Sequence, residues 1–186
     1  MRPNEKKFKE LLIYIVDRCS KEEQIPETKL WKLLYFSEAN FFEKKKRTIS
    51  GVDYFKNNYG PTPDYRTIKK IFPEISEYVL RTKKNIGDGK VKRTYKLSKK
   101  YRFSYLTKEE KKIIDETCEK YGNLNTREIV HLAHKDPPYI ISKDKDKIDF
   151  SDVVYREKWE EGDLENEEEQ VMPSDVAEKI LAYARR

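Results

Sequence analysis

Cysteine, histidine and glycine are scarce in this chain, and each shortage removes a class of chemistry. Its 186 residues hold two cysteines, two histidines and six glycines. Cys19 and Cys118 form no C-x-x-C, and both fall inside predicted helices among apolar neighbours, which reads as two buried free thiols in a reducing cytoplasm. The glycines form neither G-x-x-x-x-G-K-[ST] nor G-x-G-x-x-G, so nothing resembles a phosphate cradle. No H-E-x-x-H occurs. An apolar run of membrane-spanning length is also missing, so no transmembrane helix is expected. The opening MRPNEKKFKE is polar and then amphipathic, without the apolar core of a signal peptide, and the expected location is the cytoplasm.

Charge is what the chain has in abundance. Lys and Arg number 40 and Asp and Glu 34, a formal net charge of +6. Apolar residues still make up 37% and are spread evenly, which suits one domain with a sizeable core under a heavily solvated surface. The charge is uneven. Residues 157–170, EKWEEGDLENEEEQ, carry eight acids and one lysine, a net of −7 that leaves +13 on the remainder. Such a pairing of basic body and acidic segment suits nucleic acid, an acidic protein, or the segment folded back on its own chain. On a protein partner it would mask a basic surface.

The stretch from Leu30 to Tyr65 organises the rest. Leu30, Leu33, Leu34 and Phe41 predict an amphipathic helix with one apolar face, carrying Pro26 in its first turn and running to about Lys46. Its basic end, Lys44 to Arg47, complements the helix dipole. Ser50-Gly51 is a turn, and Tyr54, Phe55 and Tyr59 form a strand-like run halted by Gly60-Pro61-Thr62-Pro63. Residues before proline avoid the α region, so this is a rigid, non-helical corner. Upstream, Phe8, Leu11, Leu12, Ile15, Val16 and Cys19 predict a helix over 4–20, capped by Asn4. Downstream, Asp64 caps a short helix that Pro73 ends. Residues 77–97 alternate around Gly87-Asp88-Gly89 as a hairpin, which the strand near Val52–Asn57 is expected to join as a third member.

Thr107 and Glu110 form a capping box for a helix ending at Tyr121-Gly122. A second helix begins at Asn125 or Thr126 and ends at Asp136-Pro137-Pro138. Residues 143–152 read as loop and 173–186 as a terminal helix. No internal repeat is visible.

Residue patterns that would carry catalysis or metal binding are largely missing. His131 and His134 have metal-like spacing but lack a third nitrogen or sulfur ligand. Cys118 with either histidine is a conceivable nucleophile pair, yet it lies on the apolar stripe of its helix. His134, near a helix end, is expected to donate a hydrogen bond that holds the Pro-Pro turn. The basic, aromatic hairpin is like the wing of a winged helix, but it precedes the helix pair it should follow.

Four motifs resemble the Panacea domain, the family of SocA-like antitoxins and phage-associated proteins. They are Lys32-Leu33-Leu34-Tyr35-Phe36; Gly51, Tyr54 and Tyr59-Gly60-Pro61-Thr62-Pro63; Leu106-Thr107, Glu110, Ile114 and Tyr121-Gly122; and His134-Lys135-Asp136-Pro137-Pro138-Tyr139. In order, they span about residues 8–141. The resemblance implies an α+β fold, mainly α, with a small antiparallel hairpin or three-stranded sheet. It divides the chain into a Panacea-like domain over 1–142 and an extension over 143–186, packed on the same domain. It also implies direct binding of a cognate toxin with no catalysis, cofactor or metal, and, for the SocA type, delivery of that toxin to an AAA+ protease. The family-motif residues and candidate partner contacts are Tyr35, Gly51, Tyr54, Tyr59, Gly60, Pro61, Pro63, His134 and Pro137. The alternative is a DNA-binding regulator of a toxin–antitoxin or phage operon. Neither reading fixes an oligomeric state.

Overall fold

The computed structural model describes residues 3–20, 24–87 and 91–158; the acidic segment beyond its first two residues and the expected terminal helix lie outside the described residues. The elements run α1 (Glu5–Cys19), β1 (Ile25–Pro26), α2 (Glu27–Lys45), β2 (Tyr54–Phe55), β3 (Thr62–Pro63), α3 (Tyr65–Ile75), β4 (Val79–Asn85), β5 (Val91–Leu97), α4 (Lys108–Tyr121), α5 (Thr126–Lys135) and α6 (Pro137–Ile141). A 3-10 helix, Phe150–Lys158, follows. The fold is α+β and mainly helical, with a three-stranded antiparallel sheet ordered β1-β5-β4 and a separate β2-β3 pair.

Helix α2 is the axis of the molecule. It is buried on every side rather than on one face, with each residue from Leu30 to Ala39 shielded from water. A helix surrounded in this way lies in the middle of a core. Helices α1, α4, α5 and the 3-10 helix pack around it. Its buried polar groups are each matched, as burial demands. Ser37 donates to the Leu33 carbonyl at 2.8 Å, and the Glu38 carboxylate accepts from the amides of Ile49 at 2.5 Å and Ser50 at 3.1 Å. The basic end of α2 is tied to acids of α4: Lys44 to Glu116 at 2.8 Å, Lys45 to Glu109, and Arg47 to Glu110 at 3.6 Å.

Helix caps follow the sequence closely. Asn4 accepts from the Lys7 amide, Asp64 from Thr67, and both Thr107/Glu110 and Asn125/Glu128 form reciprocal capping boxes. Pro73 does not end α3. It sits inside the helix, whose last turn continues to Ile75 because that side chain is buried at 1% exposure. Pro26 stands at the cap of α2 rather than in its first turn, and belongs to β1.

The third strand of the hairpin sheet is β1, not residues 52–57. Ile25 pairs with Tyr95 and Pro26 with Thr94. Both edges of β2 are already taken. On one side it pairs with β3, and on the other Ile148 donates to the Tyr54 carbonyl at 2.7 Å and Lys56 to that of Asp146 at 3.0 Å. Residues 143–149 therefore do more than connect. Ile148, Phe150 and Val153 enter the same core as α2.

Candidate functional site

The Tyr59–Pro63 corner is held from three directions. Gly60 has φ +88, a left-handed conformation that favours glycine, and its amide donates to the Asn57 carbonyl at 2.7 Å. From α2, the Lys32 ammonium donates to the Pro61 carbonyl at 2.7 Å. From α5 comes His134. A Cβ at Gly60 would stand 2.7 Å from Lys32 Cε and 3.2 Å from His134 Cδ2, so the backbone approaches both side chains as closely as glycine permits. From α6, the Tyr139 hydroxyl donates to the Asn57 carbonyl at 2.9 Å.

Three of the four motif segments meet at this point. His134 stacks flat on Tyr139, with ring centroids 4.8 Å apart and planes 9° from parallel. It does not hold the turn by a hydrogen bond as expected: Nε2 is buried without a partner among the described residues, and stacking supplies the contact instead. Pro137 and Pro138 open α6 rather than merely ending α5, since proline suits a first helical turn. Tyr35 donates from its hydroxyl to Asp136 at 2.6 Å, and Asp136 also takes a fork from Arg156, Nε at 2.6 Å and Nη2 at 2.5 Å. The remaining motif packs elsewhere on α2, with Tyr121 stacked on Phe36 at 4.5 Å and Lys29 donating to the Gly122 carbonyl at 2.7 Å.

The nine motif residues divide by exposure. Tyr35 and Tyr54 are wholly buried, and Gly51, Gly60, Pro61, Pro63 and Pro137 are buried too. His134 is half-buried. Tyr59 alone among them projects into solvent, at 76% exposure. Its neighbours hold the corner still while its own side chain stays free of the core.

Burial shapes the electrostatics. Desolvation lowers the Lys32 ammonium to about 7, and burial beside Lys32, His131 and Lys56 lowers His134 as well. The Tyr35 hydroxyl is raised well above its usual value by burial and the Asp136 charge. Cys19 and Cys118 are free, half-buried rather than fully buried, and hydrogen-bonded to each other; that bond and burial push the Cys118 thiol up, which opposes nucleophilic use. No group of three His, Cys, Asp or Glu side chains is placed to hold a metal among the described residues. Among the same residues no helix is long and apolar enough to cross a membrane.

The sequence alone assigns no bracing role to Lys32, Glu38, Asp136 or Arg156, although Lys32 and Asp136 stand in family motifs. The first two carry a readable signal, a charge within the near-continuous apolar run of a helix. Arg156 carries none, because its partner is twenty residues away and its neighbours are polar.

No curated protein and no solved structure matches the chain. A family model, "Antitoxin SocA-like, Panacea domain", matches residues 30–140, more than half its length. That span covers most of α2, the corner, the hairpin, α4, α5 and most of α6, including Lys32, Tyr35, His134 and Tyr139, while Arg156 lies beyond it. The chain belongs to the SocA-like antitoxin family of the Panacea domain, and its role lies with toxin–antitoxin systems.

Proposed function

We propose that this protein is the antitoxin of a toxin–antitoxin pair and neutralises its toxin by binding it directly, in the cytoplasm and without catalysis. The observation that carries the reading is Tyr59, a large side chain 76% exposed on a backbone that Lys32, His134 and Tyr139 hold in place. An aromatic presented on a rigid loop fills a partner's pocket at small entropic cost, which is how interface anchors work. Family membership supplies the kind of partner, a toxin, and suggests a non-catalytic role. Handing the captured toxin to an AAA+ protease is the finer role that the SocA type implies.

The test is recovery of the tagged protein from its own cells with identification of whatever accompanies it. A stoichiometric small protein that arrests growth when expressed alone, and is silenced by co-expression of this chain, is the expected result. Recovery of duplex DNA, with salt-dependent affinity, would instead favour an operon regulator and overturn the proposal.

A further inference from the structure

An apolar groove of about 780 Å³ begins at Thr62 and Pro63 of the corner and runs along α3 to the β4–β5 hairpin. Phe72, stacked on Tyr95 at 5.8 Å, lies beneath it. Two apolar side chains stand at its margins in water, Tyr65 at 75% and Leu80 at 53% exposure. Apolar margins around an apolar floor are a feature of binding grooves more than of bare surface.

Its far end is cationic and incompletely matched. Arg81 and Arg93 share one carboxylate, that of Glu27, at 3.3 and 3.2 Å, and the Tyr95 hydroxyl donates to the same group. Two guanidinium groups against one carboxylate leave a positive charge over. Arg81 also lies over the Phe72 ring at 4.6 Å, which places this charge beside the apolar floor. The Nε of each arginine is buried and finds no acceptor among the described residues. Guanidinium donors have a fixed fork suited to carboxylates, and the part of Arg81 and Arg93 that stays exposed, 31% and 38% of each side chain, is what a second carboxylate can meet from the groove. A phosphate backbone would supply charge but leave Tyr65, Leu80 and the floor in water.

Resting on the antitoxin reading, we propose that this groove receives a segment of the partner polypeptide in which an aromatic or aliphatic side chain is flanked by carboxylates. The apolar side chain lies between Tyr65 and Leu80, and a carboxylate meets Arg81 and Arg93. Because the groove starts at Thr62 and Pro63, it extends the surface that presents Tyr59.

The experiment is a titration of the isotope-labelled full chain, read at its backbone amides. Three probes are used: a short peptide alternating leucine and phenylalanine with glutamate, the same peptide with glutamine for glutamate, and a short DNA duplex. The acidic peptide is expected to shift the amides of α3, Arg81 and Arg93 saturably. The glutamine peptide binds about tenfold more weakly, the loss that removing one charge-assisted hydrogen bond brings. R81Q and R93Q each weaken the acidic peptide to a similar extent. Tyr65→Ala weakens it too with the fold intact, since this side chain lies outside the core. Absence of binding, equal binding of the two peptides, or shifts confined to other surfaces would overturn the proposal. Three outcomes would do the same by giving the groove another occupant. These are occupation by the duplex, concentration-dependent shifts without peptide that report a second copy, and binding only after residues 157–186 are removed. No toxin is involved, so this test fails independently of the recovery experiment.

Discussion

Lys32 donates to the Pro61 carbonyl at 2.7 Å from a side chain that is 1% exposed. Its ammonium is lowered to about 7 by desolvation, whereas in the unfolded chain it sits near 10.4. Between these values the unfolded chain binds the extra proton, so stability rises with pH across that window and is level below it. Lys32→Met removes the titration. Denaturation midpoints measured from neutral to strongly alkaline pH are therefore expected to show the wild type gaining on the variant by a few kcal/mol. Parallel curves would refute the assignment.

Glu38 carries the opposite sign. Burial raises its carboxyl from 4.5 to about 7, against the lowering influence of the Ser50 and Ile49 donors. Between those values the folded chain holds the proton and the unfolded chain does not. Its contribution to stability is full at acid pH and is lost as pH climbs to about 7. Glu38→Gln, neutral throughout, flattens this limb, and the difference between wild type and variant shrinks from acid to neutral pH.

Gly60 and Gly87 share a left-handed backbone, φ +88 and +92, but differ in surroundings. A Cβ at Gly87 meets nothing within 4 Å, whereas one at Gly60 collides with Lys32 and His134. Gly87→Ala is expected to cost about 1 kcal/mol, the conformational term alone. Gly60→Ala adds the collision and is expected to cost about 3 kcal/mol or more. Urea titration of the two variants separates the contributions, and equal losses would deny that the corner is closely packed.

Asp136 and Arg156 form a forked pair that is 5% and 16% exposed at the side chains. Removing Arg156 strands the Asp136 charge in a dry place, at about 3 kcal/mol, whereas removing Asp136 costs less because Arg156 keeps Glu43 at 3.3 Å and Asn40 at 2.9 Å. Asp136→Asn with Arg156→Met is expected to cost less than the sum of the single changes, with a coupling on the order of 1–3 kcal/mol. A chain ending at residue 142 loses Arg156 together with Ile148, Phe150 and Val153, and is expected to unfold where one ending at residue 158 does not. Circular dichroism and the thermodynamic cycle check both.

Local rules made the helices legible. The caps at Asn4, Asp64, Thr107 and Asn125, the turn at Gly87 and the apolar spacing of α1 lie within a few residues of what they control. Long-range choices were not legible. Nothing near Ile25 announces that it pairs with Tyr95, and nothing near residues 145–148 announces that they close the outer edge of β2. The corner was visible from its prolines and glycine. Its bracing was not, because Lys32 and His134 reach it from helices distant in sequence. Tyr35 and Tyr54 illustrate the same limit: an aromatic at a family position reads alike whether it faces core or solvent.

Tyr59 offers the most direct separation of binding from folding. Its side chain is 76% exposed, while the groups that hold its backbone act on Gly60, Pro61 and Asn57. Tyr59→Ala should leave the denaturation midpoint within about 0.5 kcal/mol of wild type, as for exposed positions in general. If this ring is an anchor, the same change weakens toxin capture by about 2 kcal/mol or more, on the order of thirtyfold in affinity. Tyr59→Phe keeps the ring and should retain most of the binding. Growth rescue by co-expression and a direct affinity measurement give the answer together. Loss of rescue with loss of stability would mean that Tyr59 acts within the fold, and full rescue by Tyr59→Ala would remove the corner from the interface.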